Sequence, residues 1–283
     1  MKKLKVIQLK TLRGFSLKAF EGDAITKEVQ NVGEYDTNTL NSLVDLLSLI
    51  KPNLSLDVGA NIGNHALLIA TLSNKVVAFE PVKFVFDVLE SNIKQNAVDH
   101  LTAINVGLSN ADAQHTIYIP DNGNLGTSSL EVKDDAGDKL AIQTVVGDVY
   151  LQEYFADDQV DFIKIDVEGH EAKALVGLKK TLLKHQPLVL IEWKSEQMLA
   201  EFKRLDLFRE LFQGYHKYAL SYTTNKKVYA DSCFGYFKRL YHKLIGSRWC
   251  LMPFDENQRY SNVYLVPPRF QQYFEKNSDV LGS

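Results

Sequence analysis

The sequence predicts an α/β fold: a mainly parallel sheet covered by helices on both faces and completed by an antiparallel final strand. Three observations predict it. From Leu54 onward, short apolar runs alternate with segments of helical periodicity. A glycine-bearing loop lies where the first of those runs passes into the first helix of the alternation. After Gly214 the alternation stops, and two strand-like runs, 215–222 and 262–266, are left to pair antiparallel.

Taken in order, residues 6–12 and 15–20 form a hairpin pattern around Arg13-Gly14. Leu40, Leu43, Val44 and Leu47 then repeat at i, i+3, i+4 and i+7, a helix that Lys51-Pro52-Asn53 ends. These first fifty residues read as an appendage (1–50), and residues 51–283 as the main domain. Within it, Leu54–Val58 is a buried strand, and Ile62, Ala66, Ile69 and Ala70 share one helix face. Lys75–Phe79 is the second strand, and Val82, Val85, Phe86, Leu89 and Ile93 mark the second helix. Residues 101–106 form a third strand, and 115–146 read as a β-hairpin around the polar loop 121–129. Val160–Ile165 and 188–191 are two more buried strands, separated by a helix carrying Leu175, Leu178 and Leu182. Another helix carries Met198, Phe202, Leu205, Phe208 and Phe212. Continuous apolar strands joined by helices imply a parallel sheet buried on both faces. Between the two last strands lie roughly forty residues, too many for a turn, so the stretch 223–260 reads as an insertion serving as lid or docking element.

Composition excludes several classes. Of 283 residues, 45% are hydrophobic and 24% charged, as in ordinary globular proteins. No apolar run nears the ~18 residues of a membrane span, and no apolar segment follows the basic start as a signal peptide requires. Two cysteines, Cys233 and Cys250, make no disulfide framework and suit a reducing cytoplasm. The net charge of −3 speaks against nucleic acid as a partner.

The sharpest local signal is Asp57-Val58-Gly59-Ala60-Asn61-Ile62-Gly63-Asn64. A phosphate-cradling loop would end in Gly-Lys-Ser/Thr, and Gly63-Asn64-His65 has no lysine. A dinucleotide loop prefers Gly-x-Gly-x-x-Gly, whereas Gly59 and Gly63 stand four apart behind Asp57. A carboxylate there repels a pyrophosphate and attracts a sulfonium or an amino group. S-adenosylmethionine has both cations and no phosphate. Glu80, at the end of the second strand, has two oxygens with which to accept both ribose hydroxyls.

A second acidic group follows the fourth strand in Lys164-Ile165-Asp166-Val167-Glu168-Gly169-His170-Glu171. Alternation puts Lys164 and Asp166 on one face. Glutamates at a helix start are also simply favoured by its dipole. Location shifts the balance: Asp166, Glu168 and His170 gather beside the cofactor loop, and Glu192 ends the next strand. Lys164 needs a carboxylate partner, with Asp166 or Glu171 at hand, and reads as structural.

In these residues the chain resembles the FkbM-type S-adenosylmethionine-dependent methyltransferases. The pieces are Asp57 to Asn64, then Phe79-Glu80-Pro81, then Lys164 to Glu171, in the family's order across residues 50–195. The resemblance implies a class I (Rossmann-like) methyltransferase fold and O-methylation of hydroxyls on sugars, glycans or secondary metabolites. It also implies that Asp57, Gly59, Asn61 and Gly63, with Asn64 beside them, hold the methionine part. Glu80 would hold the ribose, and Asp166 and Glu168 would face the reaction centre. Gly33-Glu34-Tyr35 resembles a segment that reaches the cofactor from the N-terminal side; a helix-entry turn fits it equally. The stretch Thr144 to Asp148 departs from the pattern, with Gly147 where the family places an apolar residue. Residues 223–260 match nothing transferable.

The expected reaction is an in-line displacement that a base assists, with Asp166, Glu168, His170 and Glu192 as candidates. Of these, His170 titrates nearest neutrality in the absence of other influences. Asp166, Glu168 and Glu192 could instead hold Mg²⁺, although no ligand spacing demands a metal. Within the insertion, Phe237, Leu240, Tyr241, Leu244 and Ile245 share a helical face, with Lys238, Arg239, His242 and Lys243 on much of the other. Such a helix at 235–249 can rest on an anionic membrane surface, which suits a lipid-linked acceptor; packing on the sheet is the favoured reading. Trp193, Trp249 and the tyrosines could stack on sugar rings or pack in the core. Three rivals remain: a nucleic-acid base methyltransferase, disfavoured because Asp166-Val167-Glu168-Gly169 lacks the proline-aromatic grip; an NAD-dependent oxidoreductase; and a non-catalytic cofactor-binding scaffold.

Overall fold

A computed structural model describes residues 4–119, 138–194, 196–223 and 248–275. Its centre is an eight-stranded sheet. Five parallel strands form one side of it, with β5 at the edge: β3 (Leu54–Val58), β4 (Lys75–Phe79), β5 (Leu101–Ile104), β9 (Val160–Ile165) and β10 (Leu188–Trp193). Beyond β10 come β13 (Tyr260–Val266), β11 (His216–Tyr222) and β12 (Trp249–Pro253), each antiparallel to its neighbour. The spatial order is β12-β11-β13-β10-β9-β3-β4-β5. The chain runs outward in one direction through β3, β4 and β5 and in the other through β9 and β10. The switch point therefore lies between β3 and β9, where a crevice opens at the strand ends.

Alternation assigns the faces. Val76 and Ala78 point into one core and Val77 and Phe79 into the other. The first core packs α2 (Thr37–Ile50), α3 (Asn64–Ala70) and α4 (Lys83–Gln95) on the sheet. It also takes in Leu17, Ala19 and Phe20 of the antiparallel hairpin β1 (Val6–Lys10) and β2 (Ser16–Phe20) and Ile25 and Val29 of α1 (Ala24–Val32). The hairpin is tied down by the buried Asn92, which accepts from the Lys18 amide at 2.7 Å and donates to the Lys18 carbonyl at 2.9 Å. The second core holds α6 (Glu171–Gly177), α7 (Lys179–His185), α8 (Glu196–Arg204) and α9 (Leu207–Leu211). There Trp193 lies edge-on to Phe202 and Phe254, so it is core and not a sugar platform. Trp249 donates to Asp45 at 2.7 Å, joining β12 to α2.

Some expectations need correction. The helix through Leu175 and Leu182 is two helices broken at Leu178, and the next breaks where Asp206 takes a left-handed backbone. The third strand stops at Ile104. Its continuation, β6 (Gly107–Ser109), joins a small second sheet with β8 (Asp138–Val146) and β7 (Ala113–Ile119). The polar stretch 121–129, the segment 235–245 expected to form a helix and Cys233 lie outside the described residues. The part of the insertion that is described supplies β12, and Cys250 on it is a buried free thiol.

Gly147 opens α5 (Gly147–Tyr154), and a Cβ there would stand 2.6 Å from the Leu178 side chain. A larger residue at this position would have to displace the Leu178 side chain at the break between α6 and α7. Asp148 beside it accepts from the Lys180 and Thr181 amides at 2.7 and 2.9 Å, capping α7. No helix among the described residues is long and apolar enough to cross a membrane.

Candidate active site

A cavity of about 440 Å³ occupies the crevice at the switch point. Its floor is the loop between β3 and α3. The Gly59 and Ala60 amides both donate to the Phe79 carbonyl at 3.0 Å, binding the loop to β4. Gly59 has φ +81°, and a Cβ on it would lie 1.9 Å from the Asp166 carbonyl oxygen. Only glycine lets the β3 and β9 loops approach this closely. Asn61 also holds a left-handed backbone, φ +51°, which turns its amide onto Glu80.

Glu80 is 7% exposed, on the cavity wall. Its Oε2 accepts from Asn61 at 3.0 Å and its Oε1 from Val82 at 2.8 Å, so each oxygen keeps one lone pair for a ligand. Burial, with Asp57's charge adding to it against those two amides, pushes its carboxyl up to about 7.

Of the six residues expected to hold the cofactor, Gly59, Asn61, Asn64 and Glu80 line the cavity, and Asp57 and Gly63 do not. Asp57 is 0% exposed. It lies beneath the loop, 3.5 Å from the Lys164 ammonium. All four residues expected at the reaction centre line the cavity: Asp166, Glu168, His170 and Glu192. One carboxylate oxygen from each of Asp166, Glu168 and Glu192 comes within 4.8 Å of the others. Period-2 alternation explains two of the three, because Lys164 and Asp166 follow one face of β9 and Glu192 the same face of β10; Glu168 comes from the loop after β9.

These groups differ electrically. Burial raises the Asp166 carboxyl, but the Lys164 ammonium at 3.3 Å outweighs it and, with His65, holds the group below the usual carboxylate range. Glu168 lies the other way: although the residue is exposed at the rim, partial desolvation of its carboxyl and the charges of Glu192 and Asp166 push it up to about 8. Its backbone is left-handed, φ +51°, strain of the kind found at functional positions. Glu192 is raised by burial and Asp166 despite its pairing with Lys194. Glu171 is not a partner of Lys164; its Oε1 accepts from the Gly169 amide at 3.0 Å and closes the loop. His170 departs from the expected neutral-range titration. Buried, 2.9 Å from the Ser109 hydroxyl and near Lys173 and His115, it is pushed down to about 4 and is uncharged at neutral pH.

The three carboxylates are oxygen donors of the sort a hard cation takes, and Lys164 and Lys194 already bring positive charge among them. Sequence reasoning missed other walls of the cavity: His65, whose Nε2 lies 3.4 Å from Asp36 Oδ2, and Ile117, Ile142 and Thr144 from the small sheet. Tyr35, flagged with the Gly33 turn, is on the wall, edge-on to His65. Its neighbour Glu34 turns away to pair with Arg13 at 2.5 Å.

The profile of the methyltransferase FkbM domain matches residues 57–217, more than half of the chain, including Glu80, Asp166, Glu168 and Glu192 of the cavity. The chain belongs to the FkbM methyltransferase family. Its sheet order, with β13 antiparallel beside β10, is the class I methyltransferase arrangement that the sequence resemblance implied. The chain is 32% identical over 126 residues to the hexuronic acid methyltransferase AglP of Haloferax volcanii, covering 44% of the chain and 50% of AglP. The chain thus spans half the length of that relative. It is 26% identical over 242 residues to the methyltransferase sdnD of Sordaria araneosa, covering 72% of the chain and 90% of sdnD. Among solved structures, an FkbM methyltransferase from Methylobacillus flagellatus superposes with TM-score 0.44 at 16% identity, over 76% of this chain and 44% of that one.

Proposed function

We propose that this FkbM methyltransferase transfers the methyl group of S-adenosylmethionine to a hydroxyl of a sugar, glycan or secondary metabolite. One observation carries the reading: a single cavity joins a ribose-reading carboxylate, Glu80, to a rim of carboxylates in different protonation states. The residues fit the nucleotide. Glu80 has a lone pair on each oxygen for the two ribose hydroxyls, and Gly59, Asn61 and Asn64 offer a close backbone and amide groups to its amino-acid end. When bound, the nucleotide supplies an electrophilic methyl on a positively charged sulfur.

The chain's own part is positioning and proton transfer. Asp166, held ionised by Lys164, favours the cationic centre electrostatically. Glu168, whose carboxyl is poised at about 8, accepts the hydroxyl proton. Near neutral pH a minority of Glu168 is ionised, and that form is a stronger base than an ordinary carboxylate. His170, uncharged and bonded to Ser109, shapes the wall. The name of the Haloferax relative, a hexuronic acid methyltransferase, supports a sugar acceptor. A lipid-linked form of that acceptor belongs to the same proposal.

Calorimetric titration with S-adenosylmethionine, S-adenosylhomocysteine and NAD tests the cofactor. Both sulfur nucleotides bind and NAD does not. Glu80→Ala weakens both by about 10- to 100-fold, the loss expected for hydrogen bonds to a charged group. NAD binding as tight as that of the sulfur nucleotides, or no binding of any of the three, would contradict the reading.

A further inference from the structure

Asp57 and Lys164 are directly paired residues of the neighbouring strands β3 and β9, on the face that carries Asp166 and Glu192. Lys164 is 3% exposed, its Nζ 3.3 Å from Asp166 Oδ2 and 3.5 Å from Asp57 Oδ1. Both Asp57 carboxylate oxygens are buried without a hydrogen bond. Burying a carboxylate this way is costly, and its only compensation among the described residues is the lysine's charge. An apolar pair of similar volume would serve stability as well or better. Stability therefore does not account for the trio, and its place does: Asp166 and Lys164 are on the cavity wall and Asp57 is directly behind.

We infer that Asp57 and Lys164 are positioning residues that set the charge Asp166 presents to the cofactor, with Asp57 acting through Lys164 and not on the ligand. Asp57 draws part of the ammonium's field onto itself, so that Lys164 orients Asp166 without cancelling its charge. The same ammonium ties the cofactor loop to the reaction-centre loop, a contact reinforced by the Asp166 amide donating to the Val58 carbonyl at 3.0 Å. This deepens the proposed function and rests on it.

The test compares two nucleotides that differ by one charge at sulfur. The ratio of S-adenosylmethionine to S-adenosylhomocysteine affinity reads the field at the sulfonium and is blind to packing losses that affect both alike. Asp57→Asn, nearly isosteric, leaves Lys164 with Asp166 alone, and the ratio falls about three- to tenfold, as expected for one charge several ångströms away at an intermediate dielectric. Adding Lys164→Met removes the unbalanced cation, and the ratio returns to the wild-type value or above. An unchanged ratio in Asp57→Asn, or a double variant as low as the single, overturns the inference. Failure of the wild type to bind either nucleotide overturns the cofactor reading instead.

Discussion

Gly59→Ala is expected to abolish cofactor binding, weakening S-adenosylmethionine by about a hundredfold or more. Two independent costs combine. Alanine at φ +81° carries roughly 1–2 kcal/mol of left-handed strain. The larger cost is steric: the new methyl would sit 1.9 Å from the Asp166 carbonyl oxygen, a backbone atom that cannot rotate aside. Either the loop lifts off β4, breaking the Gly59 and Ala60 bonds to Phe79, or the β9 loop moves outward with Asp166. Both responses displace groups on the cavity wall, and displacements near 1 Å cost on the order of a hundredfold in such sites. Calorimetry on the purified variant, with circular dichroism to confirm folding, checks it. Wild-type affinity would mean that the two loops need not touch.

Glu168→Gln is expected to lower kcat by about 10²–10⁴-fold, the range for removal of a general base. The pH profile separates this from a packing loss. A base must be unprotonated, and partial desolvation together with the charges of Glu192 and Asp166 pushes the Glu168 carboxyl up to about 8. Activity of the wild type therefore rises with pH through about 8 and levels above it. The glutamine variant lacks the limb near 8 and keeps only that of Glu80, near 7. His170, already uncharged above about 4, contributes no limb near neutrality. A wild-type profile that is flat from pH 6 to 9 would move the proton-accepting role away from Glu168.

Much of this site is legible in the sequence because its parts are contiguous. Asp57 to Asn64 and Lys164 to Glu171 are each a strand end and the loop after it, and parallel strands buried on both faces read as unbroken apolar runs. What escapes is what the fold brings from afar. Tyr35 and His65 meet across the mouth of α3, and Ile117, Ile142 and Thr144 arrive from a small sheet whose strands bear no chemical motif. The position of Asp57 is also invisible to a motif: its place in the glycine loop suggests a ligand contact, and only the strand register shows it facing Lys164. Titration is likewise a property of packing. The buried His170 and the more open Glu168, two residues apart, shift in opposite directions for the same first cause, desolvation, because it penalises whichever form is charged. Helix breaks at Leu178 and Asp206 interrupt apolar periodicities that read as continuous, since side-chain spacing does not register a local change of backbone.

The central claim is that this cavity places a methyl group on oxygen. Its most direct test is incubation of the protein with S-adenosylmethionine carrying a deuterated methyl, together with free and lipid-linked sugars, and location of the label by mass spectrometry and NMR. The account predicts label on a hydroxyl oxygen, formed by the wild type and lost in Glu80→Ala. Label on nitrogen or carbon, or a nucleotide that binds and is never consumed, would contradict it.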